Sequence, residues 1–448
     1  MAPYHRRVDI LIPLYLALAA AWASATLWLA PDLSLIDAGL MAWALSLALA
    51  LTLRRWDRRT AARRPPGDRS PGRFSSNSLL LVATAFLAVT VLAGAVHDYA
   101  LYLRFWAVVR MGGDPWFVEH GYWGAYPPNA YGPLFNALAP LAAVNPLAPK
   151  LLFAAAYGAA AVALLKHLAD GRRTSPLAVA GLMAWAWGPY AWVEVAIRGH
   201  FDVLVGLAAI AAVHARRKDR DLPCAVALAA GTLLKFFPIV LLPFLALDRG
   251  RLRVRLLATS AGLIALGLGL SWLVWGPSTF RPLGFAAGRS SSYLSIFRFL
   301  RGRYSPLRGP LPDPDLDRLA GPALALGLLG AWVWCRARHP EPESAAVLAA
   351  LTTLLLSQNG LPQYQMVPLM LASYWVAQDW SRLRRRAALA AALLGYFGWI
   401  SAFEVAYLLI GDGSTWLEDV VGLPTFALGC VLAAAVVRSE PAVRLTPR

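Results

Sequence analysis

Apolar stretches long enough to cross a hydrocarbon core recur along this chain, at residues 10–29, 36–53, 79–96, 151–168, 177–193, 256–275, 319–335, 387–410 and 420–437. Shorter ones lie between them at 133–144, 203–213, 223–247, 345–356 and 366–377. Composition agrees: of 448 residues 58% are hydrophobic and only 15% charged, which leaves too little polar surface for a water-soluble fold of this size. With lipid as solvent the backbone must satisfy its own hydrogen bonds, so each stretch is predicted to be a helix. The expected fold is all-α, a polytopic membrane helix bundle of roughly 12–14 membrane segments.

A formal charge of +17 would suit a nucleic-acid partner if the arginines lined one face. Instead they fall in clusters between the apolar spans, at 5–7, 54–73, 172–173, 216–220, 249–255, 336–338, 382–386 and 438–448. That is the pattern of the positive-inside rule, and no nucleic-acid partner is expected. The clusters and both termini are assigned to the cytoplasm, and the chain to the cell membrane as a multi-pass protein. The loop after Val96, 276–317, the 357–364 link and 412–419 then gather on the outer side. Cys224, Cys335 and Cys430 have no paired spacing, so neither a disulfide framework nor a zinc site is indicated. No cofactor is predicted, with a divalent metal left open. The apolar run that follows His5-Arg6-Arg7 is long for a signal peptide and long enough to span, so an uncleaved first helix is expected.

The chain divides into a two-helix leader over 1–53, a basic Pro/Gly/Ser-rich linker over 54–78, a core over 79–438 and a short tail over 439–448. Two segments disturb the alternation of sides. Residues 133–144 are predicted as a partial helix descending from the outer surface, the alternative being a crossing that leaves Arg172 outside. Residues 223–247 lie between two basic clusters of the same side and are too short to cross twice at about 1.5 Å per residue. Gly231 and Pro238 offer a break, and a re-entrant pair of half-helices with Lys235 near the tip follows, irregular backbone at that depth being tolerated where it lines a cavity.

Five places carry chemistry. Asp98 opens the first outer loop at the lipid boundary, where partial burial suits a general base for a hydroxyl; a helix-starting carboxylate marking the interface is the plain alternative. Arg198-Gly199-His200-Phe201-Asp202 sits between two helices, and its ionisable groups so close to apolar spans are either functional or paired, Arg198 with Asp202. Lys235, beside freed helix termini, either binds a phosphate or snorkels to the interface. Arg298, Arg301 and Arg303 run against the cytoplasmic bias and, interleaved with Phe and Tyr, suit an anionic headgroup, unless they merely solvate a loop. Residues 357–365, Ser-Gln-Asn-Gly-Leu-Pro-Gln-Tyr-Gln, offer amides and hydroxyls to a sugar, although a polar turn needs the same residue types. The chain has no Walker loop, dinucleotide-binding turn, H-E-x-x-H or G-x-S-x-G, so a cytosolic nucleotide-activated donor is not indicated.

Taken in order, several short elements carry a family likeness: Asp98 with Tyr99 and Tyr102, the Gly-Gly-Asp-Pro turn at 112–115 and the aromatic/proline segment Tyr126, Pro127, Pro128, Tyr131, Gly132, Pro133. Gly-His-x-Asp at 199–202 and Leu-Leu-Lys-x-x-Pro at 233–238 complete it. Together they resemble the GT-C membrane glycosyltransferases, most closely the polyprenol-phosphate-mannose-dependent α-mannosyltransferases of glycosyltransferase family 87. The resemblance implies a hexose, mannose, carried on a polyprenyl phosphate, a glycolipid or glycan acceptor, and inverting transfer on the extracytoplasmic face within the lipid membrane. It matches Asp98 to the catalytic base and gives Lys235, with one or more of Arg198, His200, Arg298 and Arg301, to the leaving phosphate. Tyr99, Tyr102, Asp114, Tyr126, Tyr131, Asp202, Gln363, Tyr364 and Gln365 are the candidate sugar or acceptor contacts. The chain departs from the pattern at 363–365, where a His beside the Tyr is common. A lipid or polysaccharide transporter without transferase activity is the competing reading, but only one broken segment and no inverted repeat is visible.

Cysteine-accessibility labelling is expected to reach Gly113→Cys and Ser291→Cys from outside, and Arg59→Cys, Arg217→Cys and Arg384→Cys only from the cytoplasm. Cytoplasmic labelling at position 113 would reverse the orientation and the donor side with it.

Overall fold

The computed structural model describes residues 76–96, 98–116, 129–170, 188–288, 291–306, 313–378, 387–410 and 415–440. The leader over 1–53, most of the linker, most of the expected span 177–193 and Tyr126 lie outside them. Among the described residues the fold is all-α and polytopic, broken only by a hairpin of two-residue strands, Leu247–Asp248 with Arg251–Leu252. Four segments are long and apolar enough to cross a membrane: Val254–Phe285, Arg318–Arg338, Ala388–Tyr407 and Leu417–Ser439. Two bent helix pairs, Pro133–Val144 with Ala148–Leu164 and Pro189–Ile197 with Asp202–Arg217, make six if each is one span.

The described residues fall into two compact units. The first holds the helices Ser76–Leu92, Asp98–Arg110, Ala139–Val144 and Ala148–Asp170 and the π-helical turn Trp192–Ile197. Tyr99, Tyr102 and Trp106 recur at the three- and four-residue spacing that puts them on one face of the Asp98–Arg110 helix, and all three are fully buried. Their rings meet edge-on, and Tyr102 meets Phe201 in the same way. Elsewhere in the unit Phe86 stacks on Tyr157 and meets the edge of Trp192.

The second unit carries 111–137, 188–190 and everything described from Asp202 onward. Its centre is the pair Pro342–Leu356 and Met366–Gln378, apolar all round and buried along nearly their whole length, as expected of helices surrounded by protein rather than lipid. Segment 223–247 breaks between Gly231 and Pro238, as expected, with Lys235 at the break. The Asp221–Leu234 helix stops there, and the return leg is a 3-10 turn, Phe237–Leu241, and a single α turn, Leu242–Leu245, not a half-helix. Pro238 and Pro243 explain this, since each removes a donor the α ladder would need. The two ends of the segment are tied together. Arg216 donates to the carbonyls of Leu245 and Leu247, and Arg253 to Asp219, Asp221 and Asp248. Burial alone would raise the Asp248 carboxyl, but Arg253 and Arg216 hold it below the usual carboxylate range.

Residues 291–306, expected to be an outer loop, contain a helix over Ile296–Arg301, capped by the Ser295 hydroxyl accepting from Phe297 N–H at 3.2 Å. Gly132 lies where the chain turns onto the end of the Asp221–Leu234 helix, its N–H donating to Leu234 O at 3.0 Å. A Cβ on Gly132 would overlap the Leu233 carbonyl, whereas one on Gly262 meets nothing within 4 Å. Gly132→Ala should therefore cost about 1–3 kcal/mol and lower the thermal midpoint in detergent, with Gly262→Ala as the unaffected control. Equal midpoints would show that this backbone contact is loose.

Candidate active site

In the first unit the π turn decides where the charged side chains go. Its wider register carries Arg198 N–H to Val193 O at 2.8 Å and His200 N–H to Glu194 O at 2.9 Å, folding the chain back over Glu194. Gly199 closes the turn at φ +69°, where a Cβ would stand 2.8 Å from Lys150 Cγ, so only glycine fits. Arg198 donates to Glu194 Oε1 at 2.5 Å. His200 Nδ1 donates to Glu194 Oε2 at 2.7 Å, and His200 Nε2 lies 3.2 Å from Asp98 Oδ2. Both carboxylates are acceptors, so with both bonds made the ring donates from both nitrogens and carries the positive charge. Glu194 is fully buried and His200 nearly so, whereas the Asp98 side chain is 39% exposed. The arrangement is thus a partly exposed carboxylate held from behind by a buried relay of imidazole, carboxylate and guanidinium.

Lys150 supports it. This fully buried lysine donates from Nζ to Gly94 O at 2.7 Å and to Ile197 O at 2.6 Å, and from its backbone N–H to the Tyr99 hydroxyl at 3.2 Å. The hydroxyl in turn donates to Pro146 O at 2.6 Å. Burial pushes the Tyr99 phenol above its ordinary value, keeping it a neutral donor. Tyr99 and Tyr102, expected as sugar contacts, are fully buried.

In the second unit Lys235 caps the Asp221–Leu234 helix in an extended conformation. Its ammonium lies 2.5 Å from Asp202 Oδ1 and 3.9 Å from the centre of the Tyr364 ring, with Tyr131 at 5.9 Å. The sequence allowed Arg198 with Asp202; the structure pairs Arg198 with Glu194 and Asp202 with Lys235. Lys235, Asp202 and Tyr364 line a cavity of about 180 Å³ with Asn359, under a wall of Phe236, Phe237 and Phe285.

The other expected residues are held in local structure. Asp114 accepts from Trp116 N–H at 2.9 Å, an Asx turn after the glycine pair. Gln363 and Gln365 are buried, Gln365 accepting from the Tyr396 hydroxyl at 2.7 Å. Arg298 faces Asp419 at 3.1 Å and Glu418 at 3.4 Å, and Arg301 donates to Ser291 Oγ at 3.3 Å. Arg298 and Arg303 are met by acids from the 412–419 segment, which the sequence reading did not connect with them. Glu194 and Lys150 were missed altogether. Glu194 had a signal, a carboxylate inside an apolar helix four residues before an arginine. No group of three or more His, Cys, Asp or Glu among the described residues is arranged to hold a metal ion.

The sequence model of glycosyltransferase family 87 matches residues 126–358, more than half of the chain. The chain belongs to glycosyltransferase family 87. None of the curated proteins matches it. With its apolar helices, membership of family 87 makes this a membrane glycosyltransferase, which requires a sugar donor and an acceptor and sets the transporter reading aside. The family 87 match covers Glu194, Arg198, His200, Asp202 and Lys235, while Asp98 lies before it.

Glu194→Gln removes the charge that Arg198 and His200 share. Breaking a buried pair from one side costs about 3–5 kcal/mol, so the variant should insert but unfold at a clearly lower temperature in detergent. An unchanged midpoint would mean that Arg198 and His200 find other partners.

Proposed function

We propose that the chain transfers a hexose, mannose, from a polyprenyl-phosphate sugar to a hydroxyl of a glycolipid or glycan acceptor. The reaction takes place on the extracytoplasmic face of the cell membrane, with both termini cytoplasmic. The observation that carries this reading is the partly exposed Asp98 carboxylate, hydrogen-bonded to a His200 that is itself anchored on buried Glu194. A base so held is fixed in direction, and direction is most of what an in-line displacement asks of it.

The acceptor oxygen attacks C1 of the sugar as its proton passes to Asp98. The bond from C1 to the phosphate oxygen breaks, the lipid phosphate leaves with the electron pair, and the anomeric centre inverts. Lys235 offsets the charge that develops on the phosphate. Its ammonium is already held in direction by Asp202 Oδ1, so a phosphate would meet a positioned charge. All the expected cations have protein partners, and Lys235 is chosen among them because it also lines a cavity.

Asp98→Asn keeps the size of the side chain but cannot take the proton, and transfer should fall by roughly two to four orders of magnitude while donor binding holds. The assay is transfer from a radiolabelled polyprenyl-phosphate mannose in membranes, with binding measured separately. Near-normal turnover in Asp98→Asn would remove the base from this mechanism.

A further inference from the structure

Two residues that line the cavity beside Lys235 each keep a buried acceptor atom that makes no hydrogen bond among the described residues. Asp202 Oδ2 and Asn359 Oδ1 are both buried, and neither has a hydrogen-bond partner among the described residues. Asp202 as a whole is 1% exposed, and both residues line the same cavity. A buried acceptor left unmatched costs about 1–3 kcal/mol, so two on residues lining one cavity need an account.

Neither atom is free to turn away. Asp202 sits at the start of the Asp202–Arg217 helix with Oδ1 held by Lys235, which sets the direction of Oδ2. The loop that carries Asn359 is pinned on both sides: Ser292 N–H donates to Gln358 O at 3.0 Å and Leu294 N–H to Gly360 O at 2.9 Å. Within it Asn359 N–H donates to Ser357 Oγ at 3.0 Å, and a Cβ on Gly360 would overlap the backbone of Ser295. The acceptors are presented by rigid backbone, as a preorganised site requires.

The chemistry of the occupant follows by elimination. A phosphate brings only acceptors and negative charge, which suits Lys235 but not Asp202 Oδ2 or Asn359 Oδ1. A cation would pair with Asp202 but be repelled by Lys235. A neutral polyol supplies O–H donors without charge, and a pyranose adds an apolar face for a wall of Phe236, Phe237 and Phe285. We infer that this cavity is a sugar subsite that selects its hexose by two hydroxyl donors, one taken by Asp202 Oδ2 and the other by Asn359 Oδ1. The inference rests on the reading of Lys235 as the phosphate partner only for the order of groups along the donor; the two acceptors ask for hydroxyls whether or not a phosphate is attached.

The test is equilibrium binding to the full-length protein in detergent. The probes are short-chain prenyl phosphates carrying mannose, glucose or galactose, the bare prenyl phosphate, the monodeoxy analogues of the tightest hexose, and the matching phosphate-free methyl glycosides. At least one hexose should bind more tightly than the bare lipid phosphate, and one or two of its deoxy analogues about tenfold or more weakly than the parent. Asn359→Leu should bring the parent sugar down to the level of one deoxy analogue and leave that analogue unchanged. Asn359→Ala gives the same comparison should the leucine variant fold poorly, and the wild-type series needs no variant at all. Equal binding of every deoxy analogue, no gain of any hexose over the bare lipid phosphate, or undiminished discrimination in the Asn359 variants would overturn the inference and give the two acceptors to water. If deoxy discrimination persists on the methyl glycosides while Lys235→Met leaves prenyl-phosphate binding unchanged, the sugar subsite stands and the phosphate role of Lys235 falls.

Discussion

A buried polar group in an apolar helical protein needs hydrogen-bond partners, and in the first unit one such group organises the rest. The side-chain amine of Lys150 ties together the carbonyls of Gly94, four residues before Asp98, and of Ile197, three residues before His200. The same residue's N–H reaches the Tyr99 hydroxyl. The separation of Asp98 from His200 is therefore not a local property of either. It is set where a buried amine finds two carbonyls that the ends of the Ser76–Leu92 helix and the π turn leave over. Gly199 belongs to the same constraint, because the lysine stem lies where any side chain at 199 would go.

The second unit solves a related problem with paired side chains. Segment 221–247 folds back on itself, and the arginines flanking it, Arg216 and Arg253, close its base through carbonyls and aspartates. At its tip the helix ends on Lys235, whose charge is matched by Asp202 and faced by the Tyr364 ring. The broken backbone is affordable because its polar ends are absorbed at both extremities, and it leaves a lysine in a mostly apolar cavity with a few polar side chains such as Asp202 and Asn359.

Much of this was legible in one dimension. The span expected at 387–410 is the helix Ala387–Ile410, and those expected at 256–275 and 345–356 lie within Val254–Trp275 and Pro342–Leu356. The break in 223–247 followed from charge bracketing and length, with Gly231 and Pro238 to place it. Asp98, His200, Asp202 and Lys235 drew attention because each is ionisable at the edge of an apolar run, and all four proved to be paired. Glu194 carried the same signal and was passed over, because it lay next to a span counted by its apolar residues only.

Sequence by itself determined that lipid is the solvent, where the helices run, and that a few ionisable residues must have partners, because hydropathy and the cost of burying charge act on each segment alone. Tertiary structure alone decided which partners they have: Arg198 on Glu194 rather than on Asp202, Lys235 on Asp202, Arg298 on Asp419. It also turned Tyr99 and Tyr102 inward and left Asp202 Oδ2 and Asn359 Oδ1, on two residues that line one cavity, unmatched among the described residues. Such pairings depend on a few ångströms between segments as far apart in the chain as Arg298 and Asp419, and no spacing along the sequence encodes a distance of that kind.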